Sequence, residues 1–117
     1  MPNYSMQKNS LNKVLLIGRL GANPEARYTA SGIPVVSFSL ATNETWKQKN
    51  GELIEKVEWH NIIIWDKLAE VAQKNLTKGQ LVSIEGKLQT RSWENKDGNK
   101  IKTTEIVCSN FILLEKK

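Results

Sequence analysis

Glu58-Trp59-His60-Asn61-Ile62-Ile63-Ile64-Trp65 is the most strand-like stretch of the 117 residues. β-Branched and aromatic side chains dominate it, and these favour a pleated, half-buried surface. Successive side chains on a strand point to opposite faces. Trp59, Asn61, Ile63 and Trp65 therefore share one face, and His60, Ile62 and Ile64 the other. The His60 face is apolar enough to be core. The first face carries two indoles six positions apart, roughly 20 Å along a strand. On this strand alone, such aromatics read as core or interface side chains. Two flat rings on one sheet face also suit a platform for stacked bases.

Upstream, Asn43 to Glu55 is polar, turns at Asn50-Gly51, and holds Trp46, Lys47 and Lys49. It reads as an exposed hairpin arm leading into the central strand. Pro34 to Thr42 alternates Val36, Phe38 and Leu40 with Ser37, Ser39 and Ala41, a strand with one core face. Leu11 to Leu20 is a first strand, followed by turn chemistry at 21–25 and a short extended piece from Ala26 to Thr29.

Downstream of Trp65 the period changes. Leu68, Val71, Ala72 and Leu76 recur at helical spacing, with Asp66 as the expected N-cap and Gly79 as the expected stop. Alternation returns from Leu81 to Trp93, where Lys87, Gln89, Arg91 and Trp93 share a face. A basic tip at 95–100, a return strand from Ile101 to Cys108 and an apolar piece from Phe111 to Leu114 complete the chain. Three strands, one short helix and two hairpin strands are the order of an all-β, five-stranded OB-fold Greek-key barrel with its helix between strands 3 and 4. Residues 1–10 are expected to be a flexible N-terminal arm, 11–114 the barrel, and 115–117 a basic C-terminal end.

Seventeen Lys and Arg against twelve Asp and Glu give a net charge of +5, a moderate bias toward polyanions. No apolar run is long enough to span a bilayer. His60 and Cys108 are each the only one of their kind, so neither a zinc-type ligand cluster nor a Cys/His pair separate from them can be assembled. No phosphate-binding Gly-rich loop with its Lys occurs. No metal, no cofactor and no catalytic residue is expected, and the chain does not read as an enzyme.

Four tryptophans are many for this length, and Lys47, Lys49, Lys67, Arg91, Lys96, Lys100 and Lys102 interleave with them. Cations that track phosphates beside aromatics that stack bases bind single strands without sequence preference. The one short helix is not basic enough for a major-groove reader. Trp46, Trp59, Trp65 and Trp93 are therefore the expected base-stacking residues.

Lys13 to Tyr28 contains Gly18-Arg19-Leu20-Gly21 and Pro24-Glu25-Ala26-Arg27-Tyr28, and it resembles the start of bacterial-type single-stranded DNA-binding proteins. Thr42-Asn43-Glu44-Thr45-Trp46, Glu58-Trp59-His60, Lys67-Leu68-Ala69-Glu70, Leu76-Thr77-Lys78-Gly79, Ile84 to Trp93 and Thr103-Thr104-Glu105 extend the resemblance in order. It implies an OB-fold homotetramer that coats and protects single-stranded DNA in replication, recombination and repair, in the cytoplasm with the nucleoid or in a bacterial-derived organelle. It implies stacking on Trp46, Trp59 and Trp93, with Trp65 where the family often has phenylalanine. Lys13, Arg27, Lys67, Lys78 and Arg91 match backbone-contacting cations, to which the arm adds Lys47 and Lys49. His60 matches a subunit-interface histidine. The family's usual Gly/Pro/Gln-rich tail with an acidic tip, which recruits replication and repair proteins, has no counterpart at Leu114-Glu115-Lys116-Lys117, which leaves replication and repair proteins open as partners. An RNA-binding OB domain or a primosome accessory protein is the alternative.

Overall fold

The structure is a computed structural model, and it describes residues 8–115. The expected arm at 1–10 lies mostly outside the described residues, as do Lys116 and Lys117 of the expected basic end. In chain order the elements are β1 (Val14–Leu20), β2 (Glu25–Tyr28), β3 (Pro34–Lys47), β4 (Leu53–Trp65), α1 (Asp66–Asn75), β5 (Leu81–Glu94) and β6 (Lys100–Leu113). The strands run β1-β5-β6-β4-β3-β2 across one sheet, and a further β1–β3 pairing closes five of them into a barrel. This is the OB-fold arrangement expected from the element order, with the helix between β4 and β5. The short extended piece adds a sixth strand, β2, on the outer edge of β3.

Two long-range contacts close the barrel. β4 and β6 pair in parallel at Ile62↔Ile106 and Ile63↔Val107. β1 crosses β3 at Arg19↔Ala41 and Leu20↔Leu40. Gly18 stands at that crossing, where a Cβ would overlap the Ala41 carbonyl, so only glycine lets the backbones approach. Phe38, Leu40, Ile62, Ile64, Val82, Ile84 and Ile106 fill the interior, with Ala69 and Ala72 of α1 and Leu76 just after it against one side. The His60 face of the central strand was expected to be core, and Ile62 and Ile64 are fully buried there.

Several boundaries differ from expectation for local reasons. β1 starts at Val14 rather than Leu11, because the Asn12 amide takes the place of a ladder neighbour. Its Nδ2 donates to the Leu88 carbonyl (2.8 Å), and its Oδ1 accepts from the Leu88 amide (2.9 Å). The polar arm is the hairpin expected, and it is strand to its tip. β3 and β4 stay paired from Val35↔Trp65 out to Lys47↔Leu53, where Gln48 and Glu52 close the turn. β6 is one strand to Leu113, because a bulge at Ser109 absorbs the irregularity between Glu85↔Asn110 and Gly86↔Cys108.

The helix expectations need three corrections. Asp66 makes no capping bond; it has a φ of 63°, and Trp65 occupies the cap position in extended conformation. Val71 is exposed, because Leu68, Ala69, Ala72 and Leu76 cluster around a direction that leaves Val71 at the edge of the stripe. Gly79 does not end the helix. The helix stops at Asn75, where Leu76 turns extended to reach the core, and Gly79 lies in the following turn.

Candidate nucleic-acid interface

The unbroken β3–β4 ladder fixes which side chains share a face, because opposed residues in antiparallel strands point the same way. Trp59 opposes Ala41, Asn61 opposes Ser39, Ile63 opposes Ser37 and Trp65 opposes Val35. β2 extends the rows, with Glu25 opposite Ser37 and Arg27 opposite Val35. Arg27, Val35 and Trp65 thus form one row across three strands. Glu25, Ser37 and Ile63 form the next.

Arg27, Glu25, Ser37 and Ile63 of these rows line a trough of about 400 Å³ that also takes in Asn61, Arg91, Thr103 and Glu105, whereas Val35 and Trp65 lie outside its lining. Trp59 stands at its end, over a smaller hollow shared with Gly21, Ala22 and Ser39. The far side of the same indole walls a 510 Å³ groove with Ile17, Arg19, Ala41, Asn43 and Val57. Trp59 is 58% exposed, and Trp46, Trp65 and Trp93 are each above 40%, so all four rings are open to a ligand. Tryptophan is seldom so exposed without a partner.

The four indoles do not share one face. Trp46 opposes Ile54, which places it with Leu40, His60 and Ile62 on the side of the ribbon away from Trp59 and Trp65. Trp93 sits near the end of the β5–β6 hairpin, its Nε1–H donating to Thr103 Oγ1 (3.0 Å), which orients the ring. Ile63, on the Trp59 face, is buried, so the platform has an apolar floor between its aromatics.

Two of the expected cations meet in the trough. Arg27 lines it and forms no ion pair among the described residues. Arg91 lines it with its Nε bonded to Glu105 Oε1 at 2.9 Å. Lys47 ends β3 on the Trp59 side of the ladder, and Lys49 sits in the turn beyond it. Lys67 is exposed in the first turn of α1. Lys78 is exposed after the helix, its backbone amide held by Asn23 Oδ1 at 2.8 Å, and Asn23 lines the trough. Lys13 lies apart, in a separate concavity formed by the residues before β1 with β5 and β6, where it pairs with Glu85 at 3.5 Å. The trough therefore gathers Arg27, Arg91 and the Trp59 hollow, whereas Lys13 and Trp46 are placed elsewhere.

His60 is half-buried, with Nε2 2.9 Å from Thr42 Oγ1. On the outside of β1, Leu15 and Ile17 are largely exposed, and Ile17 aligns with Ser83 and Ile112 across three strands. β1 meets β3 only at Arg19 and Leu20, so its Val14–Ile17 edge away from β5 has no strand neighbour among the described residues.

Three contributors to the site escaped the sequence reading. Gly21 seats the Trp59 ring, Asn23 ties the β1–β2 turn to Lys78, and Glu105 holds Arg91. Asn23 was visible only as a turn former, and Gly21 and Glu105 stood in family-like motifs without a role attached. No group of three or more His, Cys, Asp or Glu residues is arranged to hold a metal among the described residues. No described helix is long and apolar enough to cross a membrane.

Comparison with known proteins bears on this surface. The Single-strand binding protein family matches residues 11–114. "Single-stranded DNA-binding protein 1" of Chlorobaculum tepidum is 55% identical over 108 residues, covering 92% of this chain and 67% of that protein. The "Single-stranded DNA-binding protein" of Neisseria meningitidis serogroup A is 50% identical over 105 residues, which cover 90% of this chain and 60% of its own length. This chain thus spans about three-fifths to two-thirds of the length of these relatives. Among solved structures, the Plasmodium falciparum SSB in complex with ssDNA superposes with a TM-score of 0.81 at 39% identity, covering 94% of this chain and all of that one. Barrel and sequence agree over the same residues, and the chain belongs to the Single-strand binding protein family.

Proposed function

We propose that the chain binds single-stranded DNA without sequence preference, with residues 11–114 as the binding domain, and that it coats and protects exposed strands during replication, recombination and repair. Bases stack on Trp46, Trp59, Trp65 and Trp93, and phosphates meet Lys13, Arg27, Lys47, Lys49, Lys67, Lys78 and Arg91. The observation that carries this reading is the trough, where two arginines from different hairpins flank a strip running to an open indole. Aromatic faces accept any base, and cations accept any backbone, so such a surface reads length rather than sequence.

The same reading makes the chain a binding protein rather than an enzyme, working in the cytoplasm with the nucleoid. It assembles as a homotetramer, with His60 at a subunit interface. The exposed apolar side chains of β1 and the unpaired edge beside them support assembly, because such an edge templates pairing with another strand.

Titration of tryptophan fluorescence with oligo-dT at low and high salt tests the reading. Saturable quenching at a fixed number of nucleotides per subunit is expected, and affinity falls with salt as counterions are released. Trp59→Ala is expected to weaken binding by about 1–3 kcal/mol. Absence of quenching at low salt would refute stacking, and clearly tighter binding of a matched RNA would favour the RNA-binding alternative.

A further inference from the structure

We propose that Glu105 is a positioning residue for the trough, holding Arg91 in the orientation that meets a phosphate. The inference rests on the single-strand reading above. Glu105 is the one buried charged residue among those described, its side chain 8% exposed, and it lies in the wall of a surface read as binding a polyanion. A carboxylate there is costly twice. It loses hydration on burial, and it repels the ligand's phosphates.

Its geometry supplies the compensation. Arg91 opposes Thr103 in the β5–β6 ladder, and Glu105 stands two residues further along β6 on the same face. The carboxylate reaches diagonally and takes the Arg91 Nε–H at 2.9 Å. That bond uses one edge of the planar guanidinium, and the side chain is still 47% exposed, so the other N–H donors face the trough. Arginine is rich in rotamers, and ordering it before the ligand arrives reduces the entropy lost on binding. Arg27, across the trough, has no such anchor among the described residues. The two arginines therefore divide the work: Arg91 is a fixed contact and Arg27 an adaptable one.

Glu105→Asp tests this, because it keeps the charge and withdraws the acceptor by one methylene. Oligo-dT affinity is measured across a tenfold range of salt for the native chain, Glu105→Asp, Arg91→Ala and the double variant, with a thermal melt of each. A single-strand phosphate contact contributes about 0.7 to the salt slope, a factor of roughly five per tenfold change in salt. Arg91→Ala is expected to lose that contribution, Glu105→Asp to lose most of it, and the double variant to bind no worse than Arg91→Ala. Native affinity and slope in Glu105→Asp, with Arg91→Ala weakened, would overturn the positioning role and leave the single-strand reading intact. An Arg91→Ala variant with native affinity and slope would instead remove Arg91 from the phosphate contacts and the positioning role with it. Should Glu105→Asp fail to fold, Glu105→Ala makes the same comparison. There, tighter binding with an undiminished slope would mark Glu105 as a mere repulsive charge and overturn the proposal.

Discussion

Gly21 and Trp59 are in contact across the β1–β2 turn: a Cβ built on Gly21 would lie 2.5 Å from Trp59 Cζ3 and 2.9 Å from Cη2. The ring of the most exposed tryptophan thus rests where a side chain is missing. Its outer end is set by the β1–β2 turn, which is remote from it in sequence.

Gly21→Val is accordingly expected to displace the indole and weaken oligo-dT binding by about 1–3 kcal/mol, the worth of one stacked base. The barrel is expected to survive, since the displaced group is exposed. Fluorescence quenching and a thermal melt on the same sample check both halves. Native affinity would mean that the ring position seen here is not the binding one.

Asp66 joins β4 to α1 with a φ of 63°, directly between Trp65 and Lys67. The left-handed region costs an ordinary L-residue about 1–2 kcal/mol, which Asp and Asn tolerate and Gly avoids. Asp66→Val should therefore destabilise the chain by about that amount in urea unfolding, and Asp66→Gly should not. Equal stabilities for the two would show that the turn carries no strain.

Cys108 gives a pH signature. Burial raises its thiol pKa to about 11, from an ordinary value of about 8.5. The folded state therefore holds its proton where the unfolded chain loses it. Its contribution to stability is fully present below about pH 8.5 and is lost as pH rises toward 11. Equilibrium unfolding from pH 7 to 10 should fall more steeply for the native chain than for Cys108→Ala. A thiol reagent at pH 8 should react only as fast as the chain opens.

Ile17→Glu places a charge on the exposed apolar row of β1, Ile17-Ser83-Ile112. The proposed homotetramer should break into smaller species in light scattering on a sizing column. The melting point of the separated chain should change little, because Ile17 is 63% exposed in the single chain. An intact tetramer would move the interface off this row.

Much of this was legible because it is local. Alternation in β4, the turn residues at Asn50-Gly51 and the helical spacing after Trp65 are short-range patterns, and each gave the element it predicted. Boundaries were less legible where a distant group intervened, as when the Asn12 amide bonds Leu88 and shortens β1. The polar arm was legible as an exposed hairpin from its turn at Asn50-Gly51, and its ladder, with both faces in solvent, needs no apolar alternation to form.

What the amino-acid order determined by itself was the set of strands, the position of the helix, the family and the surplus of cations and indoles. The elements and the surplus depend on neighbours within a few residues or on composition, and the family on short motifs standing in order along the chain. The pleat alone put Trp59 and Trp65 on one face, but the side on which Trp46 falls was decided by tertiary structure, because one unbroken register sends it away from them. The closure of the barrel at Gly18 and at the parallel β4–β6 pair, the seat of Trp59 on Gly21 and the hold of Glu105 on Arg91 join residues far apart or on different strands. Their energies exist only after the chain has paid the entropy of bringing the strands together, so no local pattern could have displayed them.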